Sequence, residues 1–294
     1  MTASNPLSDD PRFRLDSTAL LMNSISSSLT DRLRLVSPTG RLRAAPPAAV
    51  PPALVLVAHG SRDPRALATV RAVVERVREL RPALPVRLGH IELDEPLLPD
   101  TLAALGDSTA VLVPLLLGHG QHVGRDIPAT AARSPVRALL APPLGPHPLL
   151  TEALYDRLVE AGWPAGQDAD IRRTGAVVLA AAGSRAPEPA AGTLRTARFL
   201  ADRLGVPVLP AYASAAVPTV PAALRALAAR GRHRVAIASY FTAPGRLAAE
   251  CARQAPWIAS EPLGAHPAVA RLILHRYDRT LAARPSTAPE PAWA

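Results

Sequence analysis

The sequence predicts an α/β protein of two similar lobes, each a four-stranded parallel sheet with helices on both faces. Three observations carry this. Short apolar runs alternate with longer segments of helical period, the element order of the first half returns in the second, and loops that follow apolar runs hold the unusual polar side chains. Strands alternating with helices pair in parallel through right-handed crossovers, which clothe both faces of a sheet.

Residues 54–58 read as a buried strand. Leu67, Val70, Val73, Val74, Val77 and Leu80 then recur at three- and four-residue steps among Arg and Glu, the signature of an amphipathic helix. A second strand over 86–93, a helix over 99–105, a third strand over 111–117, a helix after Asp126, a fourth strand over 136–141 and a helix over 149–161 complete the unit. The second half repeats it. Residues 177–187 match 55–64 in character, Pro262-Leu263-Gly264-Ala265-His266-Pro267 echoes Pro143-Leu144-Gly145-Pro146-His147-Pro148, and 235–240 stands for 111–116. The Pro-rich stretch 44–52 reads as an extended linker and 285–294 as a frayed tail. The expected organisation is a disordered extension and linker over 1–50, a first lobe over 51–165, a second over 170–283 and a Pro-rich tail over 284–294.

Composition narrows the function. The chain has 294 residues, 48% of them hydrophobic, enough for packed cores. All 33 basic residues are Arg, which reads as coding bias before chemistry, and aromatics at 3% are too scarce for base-stacking platforms, so no nucleic-acid partner is expected. A net charge of +9 favours a small anionic ligand. One cysteine, Cys251, excludes a disulfide framework and a Cys-cluster metal site. No apolar run is long enough to span a bilayer, and 15–22 is too short and polar for a signal segment. A cytoplasmic monomer is expected, with no membrane partner.

Two loops carry the chemistry. Ala58-His59-Gly60-Ser61-Arg62-Asp63-Pro64 and Gly118-His119-Gly120-Gln121-His122-Val123-Gly124-Arg125-Asp126-Ile127-Pro128 each follow an apolar run and present imidazoles. The carboxyl ends of parallel strands are where open α/β sheets bind ligands, and imidazole there binds a divalent metal or moves a proton near neutral pH. In the second half Ala182 sits opposite His59, and a gap-free alignment puts Arg246 opposite His122. The first half therefore carries the candidate site, and the second is expected to be a wall, a lid or a source of charge.

These loops, together with Ile91-Glu92-Leu93 followed by Pro96, resemble the sirohydrochlorin chelatase family, the class II chelatases that insert cobalt or ferrous iron into sirohydrochlorin for cobalamin or siroheme. The resemblance spans roughly 53–283 and implies two fused chelatase-like lobes with the tetrapyrrole between them. It implies that His59 and His122 handle the metal and that Glu92 is their acidic partner, with no prosthetic group and the divalent ion as substrate. The chemistry agrees: imidazole suits cobalt, iron and nickel, and an imidazole or carboxylate can accept the two protons that the pyrrole nitrogens lose. A non-catalytic metal or tetrapyrrole carrier would use the same imidazoles. A histidine phosphatase would need Arg before the histidine, where Ala58 stands.

Around this core, Arg62, Arg125, Arg185 and Arg246 are candidates to grip the substrate's peripheral carboxylates with guanidinium forks. Glu92, on an apolar strand beside His90, is either a functional carboxylate or simply exposed at a strand end. His119 is read as a solvated loop residue with an auxiliary-ligand alternative, and His147 and His266, in matching turns, as structural. Asp63 and Asp126 are expected to cap helices. His90, His233 and His275 are given no role.

Overall fold

A computed structural model describes residues 51–120, 122–166, 169–184 and 187–283. The extension over 1–50, the tail over 284–294 and Arg185 lie outside the described residues. The first lobe runs β1 (Ala53–Ala58), α1 (Pro64–Leu80), β2 (Val86–His90), α2 (Leu98–Ala103), β3 (Thr109–Pro114), a π-helical turn (His122–Asp126), α3 (Ile127–Ala132), β4 (Arg137–Leu140) and α4 (Pro148–Glu160). The second runs α5 (Ala169–Thr174), β5 (Gly175–Ala181), α6 (Pro187–Leu204), β6 (Val208–Tyr212), α7 (Val220–Ala228), β7 (Arg234–Ser239), α8 (Arg246–Ala252) and α9 (Pro267–Ala282).

The sheets order as β2-β1-β3-β4 and β6-β5-β7, and every pairing is parallel. The second sheet thus has three strands among the described residues where four are expected. Its fourth position is a single bridge between Ile237 and Ala259. The cause is local. Counting back from Ala141 and Ser260, which donate to the matched carbonyls of Leu112 and Ile237, Pro256 falls where Arg137 donates to Ser108. Proline has no N–H to extend a ladder.

Strand alternation sends β1 and β3 side chains both ways. Ala53, Val55, Val57, Ala110 and Leu112 pack outward under Leu98, Leu102 and Ile127. Leu54, Leu56, Val111 and Val113 face inward, into a core continuous with Val177 and Leu179 of β5 and Ala236 and Ala238 of β7.

The helices that seal this shared core are exchanged between lobes. Helix α4 packs on α6 and β7, whereas α9 packs on α1 and β3. Leu150, Leu154 and Leu158 on α4 and Leu272 and Ile273 on α9 are wholly buried, each stabilising by about 1.5–3 kcal/mol relative to exposure. One bond of the exchange is matched in both lobes. Arg157 of α4 donates through Nη2 to the Leu263 carbonyl at 3.2 Å, and Arg276 of α9 donates through Nη2 to that of Leu144 at 2.9 Å. Arg81 holds Asp278 with a two-bond fork at 2.6 and 2.8 Å, and Arg271 pairs with Glu152.

His147 and His266 begin these two helices. Each accepts a backbone N–H through Nδ1 at 3.2 Å, from Leu149 and Ala268 respectively, as an N-cap does. Their matching positions are explained by the matching helices.

Candidate functional site

Strand β1 delivers His59 to the end of the first sheet. Ile91 and Glu92 extend the pairing past β2 by donating to the carbonyls of Ala58 and His59, at 2.9 and 3.0 Å. Residues 91–93, expected as strand, leave the sheet there. Gly60 has φ +97° and passes so close beneath Glu92 that a Cβ would lie 1.7 Å from its carbonyl oxygen. Ser61 N–H donates to Asp94 Oδ2 at 2.9 Å. Held this way, Glu92 Oε1 lies 3.7 Å from His59 Nδ1.

His122 arrives from β3 and opens the π-helical turn. Its Nδ1 lies 2.7 Å from Asp126 Oδ2. An ionised carboxylate accepts the Nδ1–H, fixes the tautomer and leaves the lone pair at Nε2. Asp126, expected as a cap, makes no side-chain capping bond; its carboxylate is taken by the imidazole. Asp63 does cap α1, accepting from Arg65 N–H at 3.0 Å, and the Arg65 guanidinium beside it lowers its carboxyl below the ordinary value.

The two loops converge. The rings of His59 and His122 stand edge to face with centroids 4.6 Å apart. Both are about one-third or more exposed, at 42% and 34%, so neither is sealed in a core. Among the described residues there is no preformed group of three or more His, Cys, Asp or Glu arranged to enclose an ion.

A cleft with two chambers flanks the pair. The larger, about 490 Å3, is bordered by His59, Arg62, His90, Leu93 and Arg246; the smaller, about 300 Å3, by His122, Ala182, Thr193, Tyr212 and Tyr240. Ala182, Phe241, Leu115 and Leu116 border both. The chambers are counterparts. Ala58 pairs with His90 as Ala181 pairs with Tyr212, and Ser214 donates to the Ala182 carbonyl at 3.0 Å as Glu92 does to that of His59. The second lobe thus lacks the carboxylate as well as the imidazole, a loss at Ser214 that strand periodicity alone does not reveal.

The register also corrects the alignment of the duplicate. Leu115 donates to Val57 as Tyr240 donates to Ala180, one residue off the gap-free pairing, so Arg246 matches Gln121 and Leu247 matches His122. Both Arg246 and Leu247 border the larger chamber. Arg246 pairs with Glu250 at 2.9 Å.

The remaining candidates separate. Arg62 and Arg246 border the cleft, Arg125 is exposed on the π-helical turn outside either chamber's lining, and Arg185 lies outside the described residues. His119 is exposed and borders neither chamber. His90 is buried, with Nδ1 3.2 Å from the Pro96 carbonyl. In the smaller chamber, burial pushes the Tyr240 phenol up to about 12, so it is a neutral hydroxyl, 3.2 Å from Thr196 Oγ1.

The CbiX family model matches residues 53–161 and again 176–280. The chain belongs to the CbiX family. The two matches coincide with the two lobes, which makes this a CbiX chain with an internal repeat. A sirohydrochlorin cobaltochelatase of Methanopyrus kandleri is 31% identical over 137 residues, covering 37% of this chain and 96% of that protein. One of Methanococcus aeolicus is 40% identical over 79 residues, covering 26% of this chain and 55% of that protein, so the match spans about half of its length. The structure of SirB from Bacillus subtilis with Fe3+ superposes with a TM-score of 0.64 at 26% identity, covering 78% of this chain and 95% of SirB. That coverage extends the CbiX likeness to the two-lobed architecture. Among the described residues of this CbiX chain, no helix is long and apolar enough to cross a membrane.

Proposed function

We propose that this chain is a sirohydrochlorin metal chelatase, inserting divalent cobalt or iron into the macrocycle with His59 and His122 as metal-handling imidazoles and Glu92 as their acidic partner. The observation that carries the reading is the convergence of the two rings to 4.6 Å, with the Glu92 carboxylate 3.7 Å from one of them, at an open cleft. Neutral imidazole binds cobaltous and ferrous ions well enough to hold them, yet an incomplete protein shell leaves positions for the substrate's nitrogens. His122, with Nδ1 engaged by Asp126, presents Nε2 as donor.

The reaction balances as one divalent ion and one macrocycle with two pyrrole N–H groups giving the metallated macrocycle and two protons. Glu92 is half-exposed and takes a proton from the pyrrole side toward solvent. Arg62 and Arg246 at the rim hold peripheral carboxylates through guanidinium forks, with Arg125 and Arg185 as further candidates. The ion is substrate rather than resident cofactor, and no prosthetic group enters. One chain supplies both walls of the cleft, which supports action as a monomer.

The test is metallation of sirohydrochlorin under anoxic conditions, followed by absorbance, with cobalt and ferrous iron in competition. Wild type turns over many equivalents; His59→Ala and His122→Ala lose most of the acceleration. Product that stops at one equivalent per chain would make the protein a carrier, and unchanged rates in both variants would refute the site.

A further inference from the structure

The turn that carries Glu92 has a feature that holding Glu92 does not require. Leu93 has φ +69°, and the Asp94 N–H closes a three-residue turn around it by donating to the Glu92 carbonyl at 2.8 Å. For a leucine this backbone conformation is strained, because Cβ crowds the carbonyl oxygen. The strain is pinned in place from below by the close approach of Gly60 and by the Ser61 N–H on Asp94.

The counterpart in the second lobe separates turn from side chain. Ala215 has φ +58°, next to Ser214, over the same close approach at Gly183. The fold therefore asks for the positive φ in both lobes but is satisfied by a methyl group. Burial does not call for the larger side chain either: Leu93 is 54% exposed, one of few large apolar residues left in solvent among the described residues. It lines the larger chamber together with His59, Arg62, Leu67 and Leu247. An apolar side chain that neither the turn nor burial requires, held out at a site and not in a core, fits ligand contact.

We propose that Leu93 is a substrate-contacting residue, its side chain resting on the flat apolar face of the macrocycle and setting where the ring lies relative to His59 and Glu92. This rests on the chelatase reading above. A conjugated ring offers such a surface, whereas its rim carboxylates do not, so Leu93 and Arg62 divide the recognition between face and edge.

Two variants separate contact from strain. Leu93→Ala keeps a Cβ in the positive-φ turn but removes the contact; Leu93→Asn removes the contact and suits that backbone better. Sirohydrochlorin binding is titrated by absorbance without metal, alongside turnover and Tm. Both variants should raise the Kd and KM about fivefold to tenfold, the loss expected for a partly buried leucine, and Leu93→Met should stay within twofold of wild type. Tm should be unchanged for Leu93→Ala and raised by about 1–3 °C for Leu93→Asn as strain is relieved. Wild-type affinity in both variants would overturn the proposal, as would a Tm drop of several degrees in Leu93→Ala, which would mark the leucine as packing. Wild-type protein that neither binds nor metallates sirohydrochlorin would instead overturn the chelatase reading itself.

Discussion

At His122 the neighbour that matters is Asp126, one π-helical turn along the same loop. Without that carboxylate the imidazole is free to rotate or change tautomer, so Asp126→Asn is expected to lower metallation by about 10–100-fold while leaving the fold intact. Steady-state rates with a thermal melt check this, and a rate within twofold of wild type would remove Asp126 from the site. A second residue-scale expectation concerns Gly60. A Cβ there would meet the Glu92 carbonyl at 1.7 Å in a backbone conformation that L side chains rarely adopt. Gly60→Ala should therefore lower both Tm and activity, by displacing Glu92 from His59. The imidazoles themselves were legible from their place after apolar runs. Asp126 was not, because an aspartate just before Ile127-Pro128 has the pattern of a helix cap, and nothing in the sequence announces that the helical turn begins at His122, four residues earlier, which turns the carboxylate onto that imidazole.

At the scale of elements, the caps of α4 and α9 tie stability to pH. Burial holds both His147 and His266 below the ordinary imidazole value of 6.5; nearby Arg276 and His275 add to this at His147, while Asp156 opposes it at His266. The folded protein therefore keeps both rings neutral, with Nδ1 free to accept the capping N–H, while the unfolded chain takes up protons first as the pH falls. Stability is full above the unfolded value and is lost as pH falls from there through the depressed folded values. Tm measured between pH 8 and 5 should decline at the acid end, and His147→Asn with His266→Asn should flatten the decline, since asparagine caps without titrating. An unchanged slope would mean other groups govern it. Strands and helices were largely legible from periodicity: β1 falls on 53–58 where 54–58 was expected, and α4 on 148–160 where 149–161 was expected. The fourth strand of the second lobe was not, because one proline at 256 decides it and its effect depends on a partner strand distant in sequence.

For the whole molecule, the exchange of α4 and α9 predicts that neither lobe is stable alone. A fragment ending near 165 would expose Leu150, Leu154 and Leu158 and leave the inner face of β3 without α9. Expressed separately, fragments 51–165 and 166–283 should aggregate or melt without a cooperative transition, whereas coexpressed they should copurify and regain metallation. A separately folded first lobe with a sharp melt would contradict the shared core. This exchange was invisible in the sequence. The apolar stripe of α4 states that the helix must cover a sheet, and says nothing of which one.

Because each half is roofed by its twin's last helix, the half without the paired imidazoles is scaffolding that the half with them cannot shed. Damage to its interior would surface as failed chemistry some distance away, and the chain could not be pared back to a single repeat without first trading those helices home.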